Sequence, residues 1–285
     1  MTKDNELIVS MTTWPPRVSY AVSAMRSIVS QAHTVPVRFM LTLSSDEWPS
    51  GAPSIEDDML FMGVEVIYDE GNTMSHKKLM PVLERHPEAT VIVVDDDFNQ
   101  REGWLQTFID DHQEHPSDII YGHSSSVVEM LQNGEIVEGV RQRGFHTHPG
   151  RVTANEKPAN GVSGTLYPAG TFSDPEFFDR KLYMELSPTS DETWQWAWAL
   201  MQRKTFRCLS SHNTPHYNGA DQHCALFAKN VFRYNNYHNV IAERYPEYRE
   251  ALREIIEKKK RNYERNHIER QARRRGLHAG DLADL

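Results

Sequence analysis

Residues 91–97 read Val-Ile-Val-Val-Asp-Asp-Asp, four apolar β-favouring residues cut off by three consecutive carboxylates. An unbroken apolar run of this length is the pattern of a strand covered on both faces, as in a largely parallel sheet laid between helices. Ligands in such sheets collect at the carboxyl ends of the strands, where these aspartates stand. Three adjacent carboxylates repel one another, so holding them together requires a cation or a proton. A hard divalent ion shared with phosphate, Mg²⁺ or Mn²⁺, is the natural remedy. A solvated acidic loop capping a strand is the plainer reading of the same triplet.

The flanking sequence agrees with an α/β layer. Residues 7–14 read as a first strand stopped by Pro15 and Pro16, and Val22, Met25, Ile28 and Val29 then form a helical stripe. Strands follow at 37–43 and 64–68 with a short acidic helix over 55–60 between them, and a helix over 75–85 with a possible kink site at Pro81 precedes the acidic strand. Beyond it come an amphipathic helix over 103–115 and a strand over 118–122. This alternation implies a parallel, doubly wound sheet. Asn133-Gly134 between strand-like flanks predicts a hairpin, expected as a surface insertion. Residues 144–170 form a long loop of the kind that carries function. A helix over 191–201 follows helix-start residues at 187–190, and the chain from Gly219 onward reads as helix. The expected division is an α/β domain over 1–225 and a helical C-terminal extension over 226–285.

Composition narrows the function. A net charge of −9 argues against a general nucleic-acid binder. Two cysteines, Cys208 and Cys224, are too few for a disulfide framework and lack metal-pair spacing, which points to a reducing compartment and no Cys-ligated metal. Neither a leader nor an apolar membrane span is read from the sequence, so the expectation is a cytoplasmic protein. Residues 258–275 hold nine Lys or Arg against Glu264 and Glu269. This is either a solvated helix or a basic arm for anionic lipid headgroups at the inner membrane face or an acidic partner.

Taken in order, several motifs resemble the GT-A class of nucleotide-sugar glycosyltransferases, and within it the large inverting family 2. They are the early strand from Ile8 through Thr12, Thr13, Trp14, Pro15 and Pro16 to Arg17; Lys77-Lys78-Leu79-Met80-Pro81; Asp95-Asp96-Asp97 as the Asp-x-Asp motif; Ser163-Gly164-Thr165-Leu166-Tyr167-Pro168; and Pro188-Thr189-Ser190-Asp191-Glu192-Thr193-Trp194. The resemblance covers residues 7–200 and not the tail. It implies a Rossmann-like, mostly parallel GT-A sheet flanked by helices. It also implies metal-dependent transfer of a sugar from a nucleotide-diphosphate donor, by default a UDP-sugar, to a hydroxyl of a glycan or lipid-linked acceptor, with inversion.

The same resemblance distributes roles. Asp97 falls on the Mn²⁺ or Mg²⁺ ion and Asp95 on the ribose, with Asp96 assisting, while Asp95 and His216 (or His212) are further metal candidates. Thr12, Thr13 and Arg17 fall near base and phosphate, Asp69 near the base, and Lys78 supplies a nearby cation. Asp191 and Glu192 match an acidic pair that in the family is Glu-Asp or Asp-Asp; the order here is Asp-Glu, and Asp191 is the favoured general base. Gly164, with Gly161, lets backbone approach the ligand, and Tyr167 and Trp194 are candidates for stacking on sugar, whereas Trp198 is expected in the core. His146 and His148 are candidates for contacts to acceptor or diphosphate.

Each residue also has an ordinary structural role open to it. Thr12 and Thr13 suit strand filler, Lys78 a solvent-facing helix position and Asp69 a strand-terminal turn. Asp191 and Glu192 suit the first turn of a helix, where acids complement the dipole. Two functions compete: a sugar nucleotidyltransferase, and a non-catalytic sugar-binding or assembly protein on the same fold. The turn at 11–17 has no glycine for a phosphate loop, which weighs against the first, and the intact acidic clusters weigh against the second. A haloacid dehalogenase phosphatase would place its Asp-x-Asp after the first strand rather than the fourth.

Overall fold

The structure is a computed structural model that describes residues 6–122, 124–140, 150–152, 156–158, 162–209, 215–220, 230 and 232–274. Its first part alternates strand and helix: β1 (Leu7–Thr12), α1 (Val18–Val29), β2 (Val37–Ser44), α2 (Pro53–Phe61), β3 (Val64–Asp69), α3 (Met80–Arg85) and β4 (Thr90–Val94). Then come β5 (Phe98–Asn99), α4 (Trp104–Glu114), β6 (Ile119–Tyr121), β7 (Ser124–Met130), β8 (Ile136–Val140), β9 (Gly150–Val152), β10 (Glu156–Pro158) and β11 (Thr165–Tyr167). The last part holds α5 (Arg180–Leu186), α6 (Asp191–Met201), β12 (Phe206–Cys208), β13 (His216–Tyr217), α7 (Tyr234–Arg244) and α8 (Pro246–Arg274).

The main sheet runs β3-β2-β1-β4-β11-β6-β12-β9. β3, β2, β1 and β4 are parallel, whereas β11 is antiparallel to both β4 and β6 and β9 is antiparallel to β12. The sheet is thus mostly parallel, with an inverted strand inside it. Chain order reverses between β1 and β4, so helices on either side of that point leave a crevice at the strands' carboxyl ends. β4 is buried along its whole length, as its apolar run requires. Its alternate residues feed two cores: Ile92 and Val94 join Met11, Met25 and Trp104 on one face, and Val91 and Val93 join Ile8, Trp194 and Leu252 on the other.

Three expectations change in detail. Residues 75–85 do not form one helix: a 3-10 turn spans Met74–Lys78 and α3 starts after it. Pro81 lies in the first turn of α3, where its missing N–H is not needed, so it starts a helix rather than kinking one. The Asn133-Gly134 hairpin exists as β7 and β8, but it is not simply a surface insertion. Val128 and Ile136 are fully buried, and α7 and α8 pack on the hairpin. The C-terminal helices share this core, because Ile241, Tyr248 and Leu252 lie in the cluster that holds Trp194. Among the described residues no helix is long and apolar enough to cross a membrane.

Candidate active site

The crevice at the ends of β1 and β4 brings the acidic triplet onto the residues that follow β1. Thr13 Oγ1 donates to Asp96 Oδ2 at 2.7 Å, and Arg17 donates to Asp96 Oδ1 at 2.8 Å and to Asp97 Oδ2 at 3.3 Å. Arg17 is placed there by the Pro15–Arg17 3-10 turn that Pro15 and Pro16 impose at the end of β1. Burial pushes Asp96 above the usual carboxylate range, opposed by the charge of Arg17 and the bond from Thr13. Asn218, just past β13, clamps the acids from behind: its amide donates to Asp96 O at 3.1 Å and Tyr20 O at 3.2 Å, and its backbone N–H to Asp97 O at 3.1 Å.

A second cation divides the remaining acids. Lys78, at the end of the 3-10 turn, donates to Asp95 Oδ1 at 2.7 Å and pairs with Asp191 Oδ2 at 3.4 Å. Burial alone would lower Lys78, but Asp191 and Asp95 outweigh it and hold the ammonium above its ordinary range. Asp191 opens α6, which Ser190 caps by accepting from Thr193 N–H, and its own side chain is closed off against Lys78. Glu192, one residue on, keeps 19% of its side-chain surface open and faces Lys157 Nζ at 3.6 Å. Burial raises Glu192 to about 7; Lys157 and Lys78 pull it down, while Asp191 and Asp95 push it further up. The acidic pair therefore separates into a carboxyl closed off against Lys78 and a more open one raised toward neutrality.

Other expected site residues lie elsewhere or serve other ends. Thr12 bonds its hydroxyl to Thr42 O at 2.7 Å, across the strands rather than into the crevice. Asp69 ends β3 and accepts from Arg180 at 2.6 Å, while its buried Oδ2 has no hydrogen-bond partner among the described residues. Tyr167 and Trp194 are not sugar platforms. Tyr167 is 3% exposed and donates its hydroxyl to Gln195 Oε1, and Trp194 is fully buried with its indole N–H on Phe177 O. Phe177, Trp198 and Tyr245 surround Trp194, and Trp196 packs on His238 and Tyr248, so all three tryptophans of α6 serve the core. Packing by itself requires Gly164: its φ is +85° and a Cβ there would stand 2.6 Å from Trp104 Cζ2. His146, His148, Gly161 and His212 lie outside the described residues.

His216 sits on β13, exposed, with Asn99 as its register partner beside the acidic turn. The expected ligand trio of Asp97, Asp95 and His216 is not assembled: Asp97 meets Arg17, Asp95 meets Lys78, and no group of three or more His, Cys, Asp or Glu among the described residues is arranged to hold a metal. The acidic turn carries hard carboxylate oxygens, the ligand type that suits Mg²⁺ or Mn²⁺ bound together with phosphate.

Sequence reasoning passed over Lys157, Glu138, His238 and Asn218. Lys157 is fully buried, with Glu138 Oε1 at 3.0 Å, and His238 Nε2 lies 2.8 Å from the other Glu138 oxygen. One signal was available: Glu138 is two residues beyond buried Ile136 on one strand, so period-two alternation turns it inward, and a buried acid demands a cation. Lys157 and Asn218 lie in stretches without periodicity and offered no such mark.

No protein-family model and no curated protein matches the chain. Among solved structures it is similar to residues 1–349 of S. aureus TarS in complex with UDP, at 16% identity and a TM-score of 0.52, over 81% of this chain and 64% of that one. It is also similar to a longer S. aureus TarS structure, at 15% identity and a TM-score of 0.51, over 81% of this chain and 39% of that one. The chain thus spans less than two thirds of the length of the TarS structures it matches. The mostly parallel sheet, its order and this likeness together give the chain the GT-A glycosyltransferase fold.

Proposed function

We propose that this chain is a glycosyltransferase that moves a sugar from a nucleotide-diphosphate donor, in the first instance a UDP-sugar, to a hydroxyl of a glycan or lipid-linked acceptor, with inversion at the anomeric carbon. The observation that carries this reading is the division of labour in one crevice: the aspartate corner, Lys78 with Asp191, and a partly open Glu192 raised to about 7. UDP is taken as the default nucleotide because a TarS structure of the same fold was solved with it.

Inverting transfer needs a base that takes the proton from the acceptor hydroxyl as its oxygen attacks the anomeric carbon opposite the leaving diphosphate. Glu192 is assigned that role ahead of Asp191. A base works best when its proton affinity lies near the working pH, and Asp191 is already committed to the Lys78 ammonium. Asp69, with one buried oxygen unpartnered among the described residues at the end of β3, is assigned to the nucleotide base. Asp97, with Asp95 beside it, would hold a divalent ion. When bound, that ion neutralises charge on the departing diphosphate. Arg17, Thr13 and Asn218 keep the carboxylates in place. The exposed basic residues of α8 beyond Lys258 are assigned to anionic headgroups near a lipid-linked acceptor.

The test is release of nucleoside diphosphate from a panel of nucleotide sugars with Mn²⁺ or with chelator, joined to calorimetric binding of UDP to the wild type and Asp97→Asn. Metal-dependent release, and UDP binding weakened at least about tenfold in Asp97→Asn, are the expected results. No nucleotide binding in either condition would overturn the reading. Consumption of nucleoside triphosphate and sugar phosphate would replace it with nucleotidyl transfer.

A further inference from the structure

Lys157 is a fully buried ammonium on a short strand, β10, at the back of the proposed site. β10 pairs with β7, setting Lys157 opposite Ser126 and turning its Nζ toward the N-terminal turn of α6. There it donates to Thr193 Oγ1 at 3.2 Å, stands 3.0 Å from Glu138 Oε1 and 3.6 Å from Glu192 Oε2, and lies 4.2 Å above the ring of Tyr234. Behind it the chain of contacts continues into the C-terminal helices: Glu138 Oε2 meets His238 of α7 at 2.8 Å, and His238 Nδ1 meets the Tyr248 hydroxyl of α8 at 2.7 Å.

We propose that Lys157 is a positioning residue shared between two carboxylates, one structural (Glu138) and one catalytic (Glu192), so that the hairpin and the C-terminal helices govern the protonation of the base. This rests on Glu192 being the base. The geometry gives the reason. Glu138 is the nearer partner and takes most of the ammonium's charge, leaving a weaker attraction for Glu192. Burial works against the Glu138 anion, but Lys157 and the bond with His238 hold it at about 2, so it stays charged at neutral pH and keeps its claim on Lys157. Burial pushes His238 down, so it contributes chiefly a hydrogen bond instead of a second cation. Among the described residues, the other charged or titratable groups facing Glu192 include Asp191 on α6, Lys78 beside α3, Asp95 in the acidic turn and Tyr234 on α7. Substitution of Glu138 or Lys157 leaves Asp191, Lys78 and Asp95 in place; Tyr234, which faces Glu138 as well as Glu192 and lies under Lys157, is kept in both variants.

Two variants then act in opposite directions. Glu138→Gln releases the ammonium onto Glu192 and lowers its proton affinity. Glu138→Gln combined with Lys157→Met removes the attraction and raises it, without leaving a buried charge unpaired, which Lys157→Met alone would do. The experiment titrates the Glu192 carboxyl by ¹³C NMR in the full chain carrying labelled glutamate, using Glu192→Gln to identify the resonance, and follows the acid limb of kcat/KM for nucleotide-sugar turnover in parallel. The expected result is a shift of about one pH unit down in the single variant and about one up in the double, a tenfold change in proton binding each way, with the KM for the nucleotide sugar unchanged and Lys157→Arg close to wild type. A Glu192 titration that stays fixed, or that moves the same way in both variants, overturns the proposal. Opposite shifts in a chain that turns over no nucleotide sugar would defeat the transferase reading and leave the linkage standing; normal turnover with a fixed titration would do the reverse.

Discussion

Asp191 and Glu192 are neighbours on the first turn of α6, yet each faces a different lysine. Lys78 closes on Asp191 with Asp95 as its other partner, and Lys157 is shared between Glu192 and Glu138. Glu192→Gln is expected to lower kcat by about 10²–10⁴, the usual worth of a positioned base, with donor KM kept. Since the ionised carboxylate is the form that accepts the proton, wild-type activity should fall as pH drops below about 7 and level off above it. Asp191→Asn removes a like charge, so the acid limb should move to lower pH while turnover survives; steady-state kinetics across pH 5–9, a span of roughly two units either side of neutrality, checks both. At this scale the acidic triplet was legible because it cuts off an apolar strand, whereas Arg17 and Lys78 were singled out through the resemblance to family 2 and not by a local pattern. Tyr167 and Trp194 were misread because an aromatic beside glycines or acids looks the same whether tertiary packing buries it or not.

The strands and helices of the first half announce themselves by period, whereas β11 does not. It is three residues long, runs against its neighbours, and fills the gap between β4 and β6. No alternation can be read over so short a segment, so residues 163–168 were noticed as a motif and not as a strand, and Gly164 for a different reason. Gly164 turns the chain under Trp104, whose indole N–H is held by Ser163 O at 2.8 Å. Gly164→Ala combines a left-handed backbone with a side-chain atom driven into the indole. Its expected cost is about 1–3 kcal/mol, read as a lower urea midpoint with an unchanged slope. A midpoint equal to wild type would mean that Trp104 yields without strain.

Across the whole molecule, the alternating pattern foretold the order of layers but not the way the tail joins them. The C-terminal helices looked like an appendage in sequence, since their charge overwhelms their apolar residues. Tyr237, Ile241, Tyr248 and Leu252 nevertheless close the core over α6. Past that contact α8 changes character, and Lys258, Lys259, Lys260, Arg261 and Arg265 are exposed. Removing residues 258–285 should therefore leave the thermal midpoint in place while abolishing sedimentation with phosphatidylserine vesicles at low salt, each basic residue near such a surface being worth about 1 kcal/mol. Vesicle binding that survives the truncation would assign the contact elsewhere.

The clamp formed by Asn218 bears on how the protein is made. The aspartates leave the ribosome long before the residue that grips their backbone, so a nascent chain that ends at the fourth strand carries the acids without the brace that sets them. Thr13 and Arg17 precede the aspartates and can meet their side chains early. The bonds to the backbone of Asp96 and Asp97 wait for late synthesis to reach back to an early strand, so a polypeptide interrupted between the two lacks part of the corner's support.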